Sequence, residues 1–510
     1  MQINIFDEIT VDGFCGGGGW STGFELGICR PVDIGINHDA AAIALHKKNH
    51  PFTEHYQTNI FEVDPVEACR GRPVGWAHFS PDCKHFSRAK GAKPVNKKIR
   101  SLAWVVVQWA AAVKPRIISM ENVPEFLGWG PCIALRGPHG RVMKQVDGKA
   151  VEAEPGENVP KHLRQLTPDP KRKGKTFAQF VGHLRKLGYE VEWNELTASD
   201  YDAPTSRKRF FLLARRDKRP IIWPAPTHGN PKSLAVQAGK LKPWRTAAEI
   251  IDWTIPCPSI FERKKPLADN TLKRISKGLQ KFVLDNPEPF VVHYKFANDP
   301  ESVNRPLSTI TAVNSHFVVT PTLIQYHTEQ SGREHRGQSV ESPLQTVDAA
   351  NRYGLAAATI IQFNNHCDGV DIQKPLPTIT AQSNHFAEVR AMLIKYYSGE
   401  GCQPVDRPLD TITTRDRFGL VTVHGVDYQI VDIGLRMLTP RELYNAQGFP
   451  PDYEIEVDCY GNAYPKKEQV ARCGNSVPPP FATALVRTNW PEACGKEINT
   501  MAALNDAWAV

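Results

Sequence analysis

Short apolar runs and polar connectors alternate along the first 228 residues. The chain from Ile3 to Val11, Val32 to Ile36, Trp76 to Phe79, Arg116 to Met120, Tyr189 to Leu196 and Phe210 to Ala214 all read as strands. Between them lie stretches of helical period: Trp20 to Leu26, Ser101 to Val113 (broken at Lys114-Pro115), and Phe177 to Leu187. In the last, Phe177, Phe180, Val181, Leu184 and Leu187 make one apolar stripe, the mark of a core-facing helix. Strands alternating with helices predict an α/β fold with a doubly wound, mostly parallel sheet.

Two interruptions stand out. Between Gly128 and Lys175 the texture turns to Gly, Pro, Lys and Asp, with a hairpin signal at Val146-Asp147-Gly148-Lys149. This predicts an inserted, partly mobile excursion near the active face. At Pro220 to His228 the chain becomes proline-rich and aperiodic, which marks a domain boundary. Helical pieces are expected around Trp244 to Trp253 and from Leu272 to Val283.

Beyond that boundary a motif repeats. Arg305-Pro306-Leu307-Ser308-Thr309-Ile310-Thr311 recurs from Ser342, from Lys374 and from Arg407, at intervals of 32 to 37 residues. An aromatic follows each copy: Phe317, Tyr353, Phe386 and Phe418. Such periodicity indicates one supersecondary unit used several times, and alternating Thr-Ile-Thr makes it a β unit.

The candidate chemistry gathers at strand ends. Asp12 to Gly19, with five glycines, follows the first strand and precedes a helix, as in mononucleotide-binding units. Phe79-Ser80-Pro81-Asp82-Cys83-Lys84-His85-Phe86-Ser87 follows another strand. Its thiol lies beside Lys84, His85 and Arg88, whose charge favours the thiolate. Taken alone, Cys83 reads equally well as a small buried hydrophobe. Glu121-Asn122-Val123 closes a third strand, so Cys83 and Glu121 both fall at carboxyl ends and can converge.

These blocks together resemble the DNA (cytosine-5)-methyltransferase family. The family's nucleophile loop, Pro-Pro-Cys-Gln-x-Phe-Ser, is matched at Pro81, Cys83, Phe86 and Ser87, with Asp82 and Lys84 as departures. Its cofactor loop is matched at Phe14, Gly16, Gly18 and Gly19. Its Gln-x-Arg-x-Arg segment is matched at Arg207 and Arg209, with Thr205 in place of glutamine. Arg436 to Glu442, Gln447 to Pro450 and Gly474 to Pro479 match later blocks. Thr439-Pro440-Arg441-Glu442 also has the form of a capped helix start.

The resemblance implies an S-adenosylmethionine-dependent enzyme that methylates carbon 5 of a flipped cytosine in double-stranded DNA through a covalent cysteine adduct. It implies Cys83 as nucleophile, Glu121 as acid at the base and Arg207 on the base carbonyl. It implies cofactor contacts from Phe14, Gly16, Gly18, Gly19, Pro81, Asn475 and Val477. Asn37 stands where the family's acidic ribose ligand is expected, and Asn59 where an aspartate precedes the adenine contact. Ser87, Arg88, Asn122 and Arg209 are the implied nucleic-acid contacts. The implied organisation is a catalytic and cofactor-binding domain over 1–228, a β-rich target-recognition domain over 229–433 and a return segment over 434–510. An RNA cytosine-5 methyltransferase and a non-catalytic DNA-binding relative remain alternatives.

Composition adds limits. The eleven cysteines include no C-x-x-C pair, so neither a disulfide framework nor a metal site is expected. The net charge of +8 permits a polyanionic partner without requiring one. No apolar run approaches the ~20 residues of a membrane span, and the start lacks a signal-peptide pattern. The expectation is a cytoplasmic monomer, nucleoid-associated through DNA.

Overall fold

The computed structural model describes residues 8–82, 86, 97–146, 149–252, 254–255, 264–266, 426–496 and 498–509, with short strand segments between 290 and 423. The central sheet has seven strands: β1 (Ile9–Asp12), β2 (Ile34–Ile36), β3 (Glu54–Tyr56), β4 (Val74–Phe79), β5 (Ile117–Asn122), β6 (Glu190–Thr197) and β7 (Lys208–Arg215). Their order is β6-β7-β5-β4-β1-β2-β3. The pairings from β3 through to β5 are parallel, while β7 runs antiparallel to both neighbours. This is a doubly wound, mostly parallel sheet with one antiparallel strand inserted near its edge. The first strand is Ile9–Asp12; Ile3 to Phe6 lie outside the described residues.

Every residue of β1, β2, β4 and β5 is buried, which explains why these strands read as unbroken apolar runs. Helices cover both faces. The helices α1 (Gly19–Ile28), α2 (Ala40–Asn49), α3 (Trp104–Ala112) and α4 (Lys175–Lys186) come from the first half of the chain. On one face α3 and α4 bring Trp109, Phe180 and Leu184 onto Phe79, Met120 and Phe210. On the other, α1 meets a late helix. After α5 (Pro440–Ala446) and α6 (Lys466–Asn475), α7 (Pro479–Asn489) packs Phe481, Leu485 and Val486 against Trp20, Phe24 and Ile28. The last 70 residues therefore complete the core begun by the first 30.

The 128–175 excursion holds regular structure. Cys132–Ala134 pairs antiparallel with Leu166–Pro168, and Met143–Val146 with Lys149–Glu152, the hairpin expected from its turn signal. The expected helix at Trp244 to Trp253 is instead a single 3-10 turn, Ala247–Ile250. A capping box from Thr246 and Glu249 opens it, but the β-branched pair Ile250-Ile251 turns into the core and ends it. Leu272 to Val283 lie outside the described residues.

Between 290 and 437 a nine-stranded sheet is built around Tyr353–Gln362, Phe386–Lys395 and Val426–Met437, paired antiparallel. Two of the repeat aromatics, Tyr353 and Phe386, open long strands. The first and third repeat copies pair in parallel, Ile310 with Thr378 and Thr311 with Ile379. The central residues of the second and fourth copies lie outside the described residues.

One buried clasp joins Asp252, which follows the central sheet, to the start of α5. Arg436 donates to both Glu442 carboxylate oxygens at 3.0 and 2.9 Å and to the Asp252 carbonyl at 2.8 Å. Glu442 accepts the Asp252 N–H at 2.8 Å and caps α5 with Thr439. Glu442→Gln leaves Arg436 buried without its counter-charge, so it should cost ~3–5 kcal/mol in denaturant unfolding. Adding Arg436→Met should restore much of the loss. Unfolding of the single variant at the wild-type denaturant concentration would show that the clasp carries no such energy.

Candidate active site

The carboxyl ends of β1, β4 and β5 meet. The Gly13 N–H donates to the His78 carbonyl at 2.8 Å, and Ser80 Oγ to the Phe14 carbonyl at 3.3 Å. These bonds join the glycine loop to the loop that carries Cys83. Cys83, Ser87 and Arg88 themselves lie outside the described residues. The chain on either side of Cys83 is held. The Pro81 carbonyl accepts from Asn122 Nδ2 at 3.0 Å, and the Phe86 ring packs on Phe126 at 4.9 Å with the Arg100 guanidinium over it at 4.3 Å.

Asn122, implied as a nucleic-acid contact, is wholly buried; its Oδ1 accepts the Val123 N–H at 2.9 Å. The reason is its place at the inner end of β5, where it joins that strand to the Cys83 loop. Pro81, implied as a cofactor contact, is buried with its carbonyl on Asn122.

Glu121 points from β5 toward β7, where Phe211 is its register partner. Arg209 Nε lies 2.9 Å from Glu121 Oε1, with both side chains about 90% buried. Burial raises the Glu121 carboxyl above the usual range, against the opposing pull of Arg209 and Arg207. Arg209, implied as a nucleic-acid contact, is instead buried on Glu121, because it stands on the paired stretch of β7 rather than in the preceding turn. Arg207 is buried too, and donates to the Gly474 carbonyl at 2.9 Å. Arg209 thus meets Glu121 from β7, while Arg207, just before β7, reaches the last turn of α6 at Gly474.

The glycine loop divides into an outer and an inner part. Gly16 has φ +48°, and a Cβ there would meet only the Phe14 carbonyl at 3.5 Å and Asn37 Nδ2 at 4.0 Å. That leaves an open cradle between the ends of β1 and β2. Phe14, half-buried, packs its ring on the core beside it. Gly18 and Gly19 face protein instead. A Cβ on Gly18 would collide with the Tyr453 hydroxyl, and one on Gly19 with the Val477 carbonyl. Val477 is buried, whereas Asn475 is exposed.

Asn37 caps the end of β2: its N–H donates to the Tyr56 carbonyl and its Oδ1 accepts the Asp39 N–H at 2.9 Å. The nearby carboxylates are engaged. Asp39 caps α2 and pairs with Arg472 at 2.6 Å, and Asp64 caps the short helix Pro65–Cys69. Asn59 is exposed, and its Oδ1 accepts the Phe61 N–H at 3.2 Å.

Three features escaped the sequence reading. The Arg209–Glu121 pair is one. The Asp39–Arg472 bridge between α2 and α6 is another. The third is Asp12, buried beneath the glycine loop, with Oδ2 accepting from Ser21 Oγ at 2.8 Å and Oδ1 from the Phe14 N–H at 3.3 Å. Burial pushes its carboxyl up to about 6. An aspartate closing a strand just before the glycines was the available signal. Among the described residues no group of three His, Cys, Asp or Glu side chains is placed to hold a metal ion, and no helix is long and apolar enough to cross a membrane.

The family model described as C-5 cytosine-specific DNA methylase matches residues 9–129 and 157–489. Type II methyltransferase M.AquIA of Picosynechococcus sp. is 24% identical over 251 residues, 48% of this chain and 87% of that protein. Type II methyltransferase M.AgeI of Thalassovita gelatinovora is 24% identical over 232 residues, 44% of each chain. Among solved structures, Entamoeba histolytica methyltransferase EhMeth superposes with TM-score 0.45 and 12% identity, covering 96% of this chain and 99% of that one. The S. pombe Dnmt2 methyltransferase gives 0.44 and 13%, covering 94% and 98%.

Proposed function

Because the chain belongs to the C-5 cytosine-specific DNA methylase family, we infer that it methylates carbon 5 of cytosine in double-stranded DNA, with S-adenosylmethionine as donor. The observation that carries this reading is the setting of Glu121. A buried carboxyl is raised toward its protonated form, flanked by Arg207 and Arg209, and tied through Asn122 to the loop that bears Cys83.

Carbon 5 of cytosine is a weak nucleophile. Addition of the Cys83 thiolate to carbon 6 makes the ring an enamine, so that carbon 5 can attack an electrophilic methyl group. Glu121, protonated, gives a hydrogen bond or proton to ring nitrogen 3 and offsets the charge that develops there. Arg207 binds the base carbonyl, and Arg209 holds Glu121 in place. Loss of the carbon 5 proton and expulsion of Cys83 restore the ring. Such a pocket requires the base to leave the duplex.

The cradle at Gly16 fits the cofactor: its backbone is open, Phe14 offers an apolar wall, and Asn37 offers a side-chain amide at its edge. When bound, S-adenosylmethionine supplies the sulfonium methyl. Asn37 would hold its ribose, with Asn59 toward the adenine and Asn475 and Val477 lining the turn opposite. Since Asp39 and Asp64 are engaged elsewhere, Asn37→Glu should tighten S-adenosylmethionine binding by ~1 kcal/mol, the gain of a charge-assisted bond. Calorimetric titration of both proteins at one salt concentration reads this. Weaker binding by the variant would remove Asn37 from the ribose.

Recognition of the sequence around the base falls to residues 229–433, whose first repeat copy pairs Leu307–Ser308 with Thr205–Ser206, just before β7. Labelled-methyl transfer to DNA and to RNA tests the function: incorporation is expected into DNA alone. A covalent adduct on a 5-fluorocytosine duplex is expected as well, and its absence would leave a non-catalytic DNA binder. Incorporation into RNA alone would overturn the substrate.

A further inference from the structure

Residues 130–156 fall between the two blocks matched by the family model, and with the residues up to Lys173 they form an arm rooted beside the active site. The root is well defined. Trp129 packs edge-on against Phe86, the Arg100 guanidinium reaches the Gly130 carbonyl, and the Phe177 N–H donates to the Trp129 carbonyl at 3.0 Å. The Asp169 N–H donates to the Pro131 carbonyl at 2.9 Å, closing the neck. Gly130 lies so near Arg172 that a Cβ would stand 2.4 Å from its carbonyl oxygen. The arm's last residues therefore sit against the turn that follows Glu121-Asn122-Val123, and its neck touches the loop that carries Cys83.

The charge on this arm is arranged in a particular way. Between 130 and 173 there are nine Lys and Arg against five Asp and Glu. Three of the acids hold the arm's own loops together. Glu152 accepts from His139 and Arg141, Glu157 pairs with Lys144, and Asp169 pairs with Arg172. By contrast Arg136, Lys149, Lys161, Arg164, Lys171 and Lys173 have no ion pair among the described residues. The four lysines are all exposed. Three of the five anionic side chains are thus engaged inside the arm, while the four lysines, with Glu154, are exposed. A loop serving only as a linker needs no such division.

We propose that this arm is a second DNA-contacting element, which sets its lysines on backbone phosphates of the duplex flanking the flipped base. The inference rests on the reading of DNA as substrate. It assigns the arm affinity and orientation, since phosphate contacts position a protein without reading sequence. Its place beside the Cys83 loop puts those contacts next to the target base rather than at a distant site.

The test compares the full chain with two four-lysine variants. One changes Lys149, Lys161, Lys171 and Lys173 to Gln. The other changes Lys48, Lys114, Lys186 and Lys218, exposed lysines at the opposite, amino-terminal edge of the sheet. Binding to a short duplex is measured across a salt series. The arm variant should lower the slope of log affinity against log salt by about 2 to 4, because each phosphate contact contributes close to 0.9. Its KM for DNA should rise while kcat at saturating DNA stays, and the other variant should match the wild type. Equal slopes in all three proteins, with a wild type that methylates DNA, would overturn the arm and leave the function standing. A wild type that transfers no methyl group to DNA would overturn the function itself. A slope change seen with RNA and not with duplex DNA would overturn the assigned partner.

Discussion

Cys83→Ser is expected to reduce methyl transfer to background while duplex binding persists. A serine hydroxyl keeps the size of the thiol but is almost wholly protonated at neutral pH. Without addition at carbon 6, carbon 5 does not become nucleophilic, so the whole reaction is lost rather than slowed. The substitution should not disturb the loop. Pro81 is tied to Asn122 and Phe86 is packed on Phe126, so the segment is held on both sides of residue 83. Labelled-methyl transfer together with a gel-shift titration separates the two readouts. Turnover above a trace in the serine variant would remove Cys83 from the role of nucleophile.

Glu121→Gln is expected to lower kcat by ~10²-fold or more, the usual scale for a positioned acid, with little effect on cofactor affinity. The amide can still donate a hydrogen bond to ring nitrogen 3 but cannot transfer a proton. With Glu121 as the acid the active form would be the protonated carboxyl, so the rate should fall as pH rises through the raised Glu121 pKa. That limb should vanish in the glutamine variant. Arg209 pulls this pKa down, so Arg209→Met should move the limb to higher pH. The same linkage has a stability consequence. A carboxyl with a raised folded-state pKa contributes most below the unfolded value and loses that contribution as pH rises through the folded one. A glutamine variant with normal rate and lost cofactor binding would place Glu121 in the wrong pocket.

Both effects depend on groups of very different legibility. Glu121 was readable because it closes an apolar run at a predicted carboxyl end, and the doubly wound sheet indeed ends there. Its partner was not. Arg207 and Arg209 are two residues apart and enter β7 with the same alternation, so their spacing does not say which of them reaches a neighbouring strand. The register of β7 on β5, Phe211 opposite Glu121, is what brings Arg209 to the carboxylate and leaves Arg207 to the Gly474 carbonyl. Asn122 was misplaced for a related reason: it continues β5 by one residue, and its amide turns inward to Pro81.

Local physics determined much of this protein from the chain alone. Continuous apolar runs specify strands buried on both faces, the 3.6-residue stripe specifies α4, Thr439-Pro440 with Glu442 specifies the start of α5, and a proline-punctuated repeat specifies β structure after residue 290. Those signals lie within a few residues of what they describe. Tertiary structure alone decided what depends on residues hundreds of positions apart. Gly18 and Gly19 lack a Cβ because Tyr453 and Val477 return to meet them, Asp39 is neutralised by Arg472, and Glu442 clasps Asp252. Such contacts leave no periodicity in the sequence, because packing across the closed core, and not the conformation of any one segment, selects them.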